Sequence, residues 1–333
     1  MLETLKHRLD AFQQNKPILA FPVSVARKFG DDKGGYSAAI VAYYSFFAIF
    51  PLLLVMVTVV GLVLRTNEGL QQRFVDSALA QFPVVGRQLG ENVGGLHATG
   101  LALAIGIAGT LLGARGMAAA MQETANNVWN VPLARRPGFP QSQLRNLGLL
   151  LVVGVGLVGA TLVPATVLGT TSSNPVSQAL SAVASVVLYI AVFLLAFRLA
   201  TAPDATTGSL IFGAIVAAVG WEVLQLAGTL IVQRYISQAN DVYGIFAVVI
   251  GLISWLYLAA MMTVYAMEVS VVRARRLWPR SIFSPPLTDA DEQAYRDLVK
   301  VQQRVEGQDI DVTFEDPEAA GLLAHKSDPS APD

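Results

Sequence analysis

Six long apolar runs dominate this chain and restrict what it can fold into. The first, at residues 36–64, continues for 29 residues without a charged side chain. A helix needs about 20 apolar residues to cross the roughly 30 Å hydrocarbon layer of a bilayer, whereas membrane barrel strands are shorter and alternate in polarity. Each run is therefore predicted to be a transmembrane helix of an all-α bundle. The predicted spans are residues 36–64, 99–121, 147–170, 179–197, 207–232 and 242–267.

The composition agrees with a membrane protein and argues against several other classes. Hydrophobic residues make up 53% of the chain and charged residues only 14%, and the mean hydropathy is +0.52. A soluble domain carries about 25% charged residues, so a soluble enzyme or a nucleic-acid binder is not expected. The chain has no cysteine and only three histidines. With no P-loop, HExxH, GxSxG or GxGxxG motif either, we predict no enzyme activity, no cofactor, no metal site and no nucleic-acid partner.

Positively charged residues are distributed unevenly between the connecting segments. Six lie on the N-terminal arm, three between the second and third spans, one between the fourth and fifth, and four directly after the sixth, within residues 273–280. Because Lys and Arg accumulate in cytoplasmic segments, both termini are predicted to be cytoplasmic, which agrees with an even number of spans. The residues of the predicted cytoplasmic side are Lys6, Arg8, Lys16, Arg27, Lys28, Lys33, Arg135, Arg136, Arg145, Arg198, Arg273, Arg275, Arg276 and Arg280, and those of the other side are Arg65, Arg73, Arg87 and Arg234.

Three regions are predicted outside the transmembrane domain of residues 35–276. The arm at 1–34 begins with Leu2, Leu5, Leu9 and Phe12 at helical spacing, which is typical of an amphipathic helix in the membrane interface or packed on the bundle. Residues 66–95 are expected to form a helix over the non-cytoplasmic mouth. Residues 277–333 are predicted to be an acidic, largely disordered tail with one helix near 289–303. The acid clusters at 31–32 and 289–292 are interpreted as solvated surface.

Span two carries a polar stripe. Arg115, Gln122 and Asn126 are separated by seven and four residues, which places them on one face of a helix. A charge inside the membrane is unfavourable by about 2.5–3.5 kcal/mol and needs a partner or a polar cavity. The stripe is therefore a candidate intramembrane polar site. The alternative is that the Arg115 side chain extends to the cytoplasmic headgroups and has no further role.

Span five contains an isolated acid near its middle. Glu222 is followed by Gln225 and Thr229 on the same face. The acid is expected either to line a polar cavity or to form a buried structural pair with a basic residue such as Arg115. In span six, Tyr257 is a candidate cavity aromatic, while Glu268, close to the basic cluster that starts at Arg273, is interpreted as a surface partner.

Several short runs, in their order and spacing, resemble the YihY/BrkB family of bacterial inner-membrane proteins over about residues 20–276. The resemblance implies a six-helix, multi-pass protein of the bacterial cytoplasmic membrane associated with the cell envelope. The family once carried a ribonuclease BN label, which these residues do not support because they place no catalytic acids or metal cluster on a water-facing domain. The runs are AYYSFFAIFPLL at 42–53, ANNVW at 125–129, GA at 213–214, WE at 221–222, VYG at 242–244 and WLY at 255–257.

These observations leave three functional hypotheses. The first is a transporter, exporter or lipid-translocating protein, suggested by the polar stripes and the absence of a soluble catalytic domain. The second is a scaffold for envelope or lipid machinery, which would have a dry, tightly packed centre with Arg115 and Glu222 paired. The third, a nuclease, is the least supported. The expected partners are membrane lipids and a small-molecule or lipid substrate, and the pattern specifies no oligomeric state.

Overall fold

The computed structural model shows a helical protein, and the part of the chain that it describes contains no β-strand. The described residues are 2–63, 100–167, 175–202, 205–231, 245–284 and 286–314. The predicted helix at residues 66–95 lies outside them. The helices are α1 (Leu2–Gln14), α2 (Pro17–Asp31), α3 (Gly34–Val63), α4 (Gly100–Val128), α5 (Gln141–Val167), α6 (Pro175–Ala200), α7 (Thr207–Ile231), α8 (Ile245–Arg275) and α9 (Asp289–Lys300).

The six long helices α3 to α8 form a closed ring. Each packs against the next one along the chain, and α8 closes the ring by packing on α3. Helix α4 also contacts α6 and α8, which places it towards the inside of the ring. Helix α2 packs on α8 and α3 outside the ring, and α1 packs on α2. The six long helices fall within the six apolar runs predicted from the sequence or extend them by a turn or two.

Three helices among the described residues are long and apolar enough to cross a membrane by length and composition. They are Ala182–Ala200 within α6, Thr207–Gly228 within α7 and Val249–Arg275 within α8. The helix Gly34–Ile49 within α3 is apolar but shorter. This supports a membrane-embedded helical protein, while the full set of six spans and their orientation belong to the proposal below.

Helices α7 and α8 approach each other very closely at Gly213. A Cβ at this position would lie 2.2 Å from Ser270 Oγ and 2.3 Å from the carbonyl oxygen of Ala266. The Gly213 N–H also donates to Ser270 Oγ at 3.0 Å. Small residues permit such close contact between membrane helices, and buried alanines continue the α7 side of the seam at 214, 217 and 218.

The region predicted to be a largely disordered tail is in part well packed. Residues 277–284 lie against α1 and α2, and α9 occupies part of the segment where one helix was predicted. Helix α9 begins with a capping box, in which the Thr288 hydroxyl accepts from the Asp291 N–H and the Asp291 carboxylate accepts from the Thr288 N–H. We call α1, residues 277–284 and α9 the terminal cap. The prediction of disorder from residue 277 is wrong for this part of the chain, because long-range polar contacts, which composition does not reveal, order it.

Arg280 is the centre of the terminal cap and is fully buried. Its Nε donates to Asp291 at 2.8 Å and its Nη1 to Asp31 at 2.6 Å. Its backbone N–H donates to Ser24 Oγ at 3.1 Å and its carbonyl accepts from Gln13 at 2.7 Å. The interpretation of both acid clusters as solvated surface is therefore wrong for Asp31 and Asp291, since each is paired with this arginine.

Candidate functional site

The polar residues predicted on span two split into two environments. Gln122 and Asn126 are buried, and they connect α4 to its neighbours. The Gln122 amide donates to Asn146 Oδ1 and to the Ser142 carbonyl, and Asn126 Oδ1 accepts from the Ala202 N–H at 2.9 Å. Both side chains thus hold the ends of α5 and α6 against α4, which is a structural role.

The two charged residues predicted inside the membrane are not joined to each other. Arg115 is exposed on α4, and Glu222 is half-buried on α7. Among the ion pairs of the described residues, none connects these two side chains. Gln225 is half-buried on the same helix as Glu222, and the Thr229 side chain lies outside the described residues.

A different group of charges is buried where α2 meets α8. Lys28 and Asp32 form an ion pair one helical turn apart, and both side chains are 2% exposed. Lys28 Nζ also donates to the Val128 carbonyl at the end of α4, at 3.0 Å. Glu268 on α8 is fully buried, and its carboxylate lies 3.7 Å from the same Nζ. The interpretation of Glu268 as a surface partner is therefore wrong, because α2 covers it.

The group has one cation for two carboxyl groups. Burial raises the pKa of the Asp32 carboxyl above its usual value, although the charge and hydrogen bond of Lys28 lower it. Both Glu268 carboxylate oxygens are buried, and neither has a hydrogen-bond partner among the described residues. Lys28, Asp32 and Glu268, which we call the charged triad, thus place two buried carboxyl groups against a single cation.

An open groove lies beside the charged triad, at the turn from α2 to α3. Its volume is about 610 Å³, and Tyr257 on α8 forms one wall. The turn is shaped by Lys33, whose φ is +54°, and by Gly34, where a Cβ would lie 2.4 Å from the Phe29 ring. The Phe29 ring is held in turn by stacking on Tyr265 at 3.9 Å between centroids. Among the predicted site residues that the structure describes, Tyr257 is the one that lines this groove.

The sequence interpretation missed the charged triad, although two signals for it exist. Lys28 and Asp32 have the i, i+4 spacing of a helical ion pair. Glu268 is the only acid within the span Val249–Arg275. A lone acid in such a helix needs a partner, and the sequence interpretation pairs it with the nearby basic cluster at Arg273 and not with Lys28.

The family model described as "Virulence factor BrkB" matches residues 25–284, which include the charged triad and the groove. No curated protein and no solved structure matches the chain significantly. The family match confirms the resemblance found in the sequence motifs. With its long apolar helices, the chain is a membrane protein that belongs to the BrkB virulence factor family.

Proposed function

We propose that this membrane protein crosses the bacterial cytoplasmic membrane six times with both termini in the cytoplasm, and that it translocates a lipid or another amphipathic small molecule. The observation that supports translocation is the buried charged triad next to an open groove. Ionisable residues buried in a membrane domain commonly mark substrate or ion pathways and proton relays. The chain is not expected to be an enzyme or to bind nucleic acid.

The groove has the chemistry of a site for an amphipathic molecule. Lys33 supplies an exposed cation at the turn, which suits a phosphate-bearing headgroup. Tyr36 is 75% exposed at the rim, and Phe29 and Ala39 supply apolar lining. The groove thus offers a polar end and an apolar end to one ligand.

Because two buried carboxyl groups face a single cation, we propose that the charged triad binds one proton and that this proton controls the contact between α2 and α8. With the proton bound, the three side chains carry no net charge, and the two helices pack together. When the proton leaves, a net negative charge is buried, which is unfavourable in a low-dielectric environment. Water entry between α2 and α8 relieves this charge and opens the groove, whose walls belong to the same two helices and to α3.

The test is lipid scrambling in liposomes of phosphatidylethanolamine and phosphatidylglycerol that contain a fluorescent phosphatidylglycerol. Wild-type protein is expected to expose the inner-leaflet probe to dithionite faster than protein-free liposomes do. Glu268→Gln retains size but cannot ionise, so it is expected to slow the exchange. Glu292→Gln is the matched control, because Glu292 pairs with Arg296 on the surface of α9. Exchange no faster than in protein-free liposomes would contradict lipid translocation.

A scaffold is the second candidate. The pair of Arg115 and Glu222 that this hypothesis expected is absent among the described residues, and the exposed position of Arg115 is the observation that favours it. This residue is exposed about 20 Å along α4 from the helix end at Val128, next to Leu112, which is 71% exposed. A cation on an apolar surface at this depth could be stabilised by an ion pair with an acidic residue of a neighbouring membrane protein. Two results together would favour a scaffold over a translocating protein. Arg115→Leu would abolish a stable complex with another membrane protein in native electrophoresis, and Glu268→Gln would leave the cell-envelope phenotype of the producing cells unchanged.

A further inference from the structure

A second concavity lies where α4 ends, and it shares no lining residue with the groove. Its volume is about 180 Å³. Five parts of the chain enclose it, namely the end of α4, the turn at Leu133–Arg135, the segment before α7, the end of α8, and α9. We call it the α9 pocket. Its lining includes Trp129, Asn130, Arg135, Arg275, Asp297 and Lys300.

The α9 pocket has an excess of positive charge. Three cations line it, Arg135, Arg275 and Lys300, against the single carboxylate of Asp297. That carboxylate accepts from Arg275 Nη1 at 2.8 Å, so its charge is already engaged. The other Nη of Arg275 donates to the Trp129 carbonyl. The guanidinium is therefore held in position before any ligand arrives.

Trp129 contributes its indole to the pocket wall. The residue is 5% exposed, and its Nε1 is buried, with no hydrogen-bond partner among the residues that the structure describes. Because Nε1 is buried, the indole supplies an apolar wall, and the polar contacts of a ligand come from the charged side chains.

The walls of the pocket are fixed by backbone hydrogen bonds. The N–H groups of Leu133 and Ala134 donate to the carbonyls of Val301 and Gln303, at 3.1 and 2.9 Å. These bonds attach the chain after α9 to the turn that follows α4. A ligand that enters meets a preformed site, which reduces the entropy lost on binding.

We propose that the α9 pocket binds an oxyanion, and specifically a phosphate group. The three cations of the pocket match the acceptor oxygens of a phosphate. Pockets for drug-sized molecules measure about 300–1,000 Å³, so this one accommodates a single phosphate group rather than a whole nucleotide. Its source is either a soluble phosphorylated molecule or the headgroup of an anionic lipid.

The test is the thermal stability of the purified full chain in detergent, titrated with inorganic phosphate at constant ionic strength. Saturable binding to the folded state is expected to raise the Tm by about 2 °C or more. Lys300→Met removes an exposed cation that folding does not require. It is expected to raise the half-saturating phosphate concentration about tenfold.

The control is Arg304→Met, which removes a cation from the same segment but outside the pocket. Stabilisation that persists in this variant and is lost in Lys300→Met supports the proposal. A second arm uses nanodiscs with phosphatidic acid or with phosphatidylcholine alone. Stabilisation by phosphatidic acid only assigns the site to a lipid headgroup, and stabilisation by inorganic phosphate in detergent assigns it to a soluble anion. No stabilisation by either probe, or equal stabilisation in all variants, overturns the proposal.

Discussion

The contact between α7 and α8 at Gly213 permits a quantitative prediction. A methyl group at this position would lie 2.3 Å from the Ala266 carbonyl oxygen, whereas ordinary van der Waals contact begins near 3.4 Å. The Gly213→Ala change therefore forces the helices apart by about 1 Å, because the obstacle is backbone. A gap of this size reduces the dispersion energy of each neighbouring atomic contact by about a quarter to a half. Overpacking of this kind costs about 1–3 kcal/mol, and the backbone obstacle places this case at the upper end.

The measurement is the Tm of the purified protein in detergent, followed by intrinsic tryptophan fluorescence. We expect a decrease of about 4–10 °C for Gly213→Ala. Gly208→Ala is the matched control on the same helix, since no atom lies within 4 Å of its added methyl. It should leave the Tm unchanged or raise it slightly, because alanine is the better helix former.

A double variant separates the two obstacles at Gly213. Ser270→Ala removes the hydroxyl that lies 2.2 Å from the new methyl, but the Ala266 carbonyl stays in place. Gly213→Ala combined with Ser270→Ala should therefore remain destabilised. A Tm of Gly213→Ala within about 1 °C of wild type, or full rescue by Ser270→Ala, would refute the argument from backbone contact.

Further predictions concern charged groups. Burial would raise the pKa of Asp10 and of Asp291, but hydrogen bonds, including those from the backbone N–H groups of residues 282 and 281, lower both. The stability that they contribute is present above about pH 4 and is lost as the pH falls through their folded pKa values. Hydrogen-exchange protection at residues 277–284, taken relative to the intrinsic exchange rate at each pH, should therefore decrease below pH 4, and less steeply in Asp291→Asn. Lys28→Met leaves two buried carboxyl groups without a cation and should destabilise the protein by about 3–5 kcal/mol. The loss of stability should be larger at pH 8 than at pH 5, and Glu268→Gln should have a far smaller effect. Thermal melting of both variants at the two pH values is the measurement. Glu222→Ala is expected to leave the Tm unchanged or raised and to impair lipid scrambling, with Glu222→Gln milder; a large decrease in Tm would instead indicate a structural role.

The long helices of the fold were predictable because their apolar character is a property of each segment alone. The polar stripe on α4 shows that helical spacing predicts the face of a residue but not its burial. Gln122 and Asn126 share one face, as their spacing predicted, and both are buried. Arg115 is on that face too, yet it is exposed. Helical spacing assigns a direction around the helix axis, whereas burial depends on which neighbour lies at that height, and the sequence does not specify this.

The charged triad and the terminal cap were not predictable for a related reason. Lys28 and Glu268 meet only because α2 packs on α8, and Arg280 meets Asp31 only because residues 277–284 fold back to the start of the chain. A charged residue near a membrane edge is usually solvated, so an interpretation from composition assigns it to the surface. The contacts that bury these charges join segments separated by some 240 residues or more.

The terminal cap also has a consequence for biosynthesis. Asp10 accepts from the Ser281 hydroxyl, 271 residues later in the chain. At translation rates of about 5–20 residues per second, the ribosome reaches that partner roughly 15–50 s after Asp10 has been made. During this interval the nascent chain is already inserting its helices while the polar groups of its first two helices have no C-terminal partner. The cap therefore closes last, and a stalled or prematurely terminated chain carries an open, polar N-terminal region by which proteases and chaperones can distinguish it from a finished one.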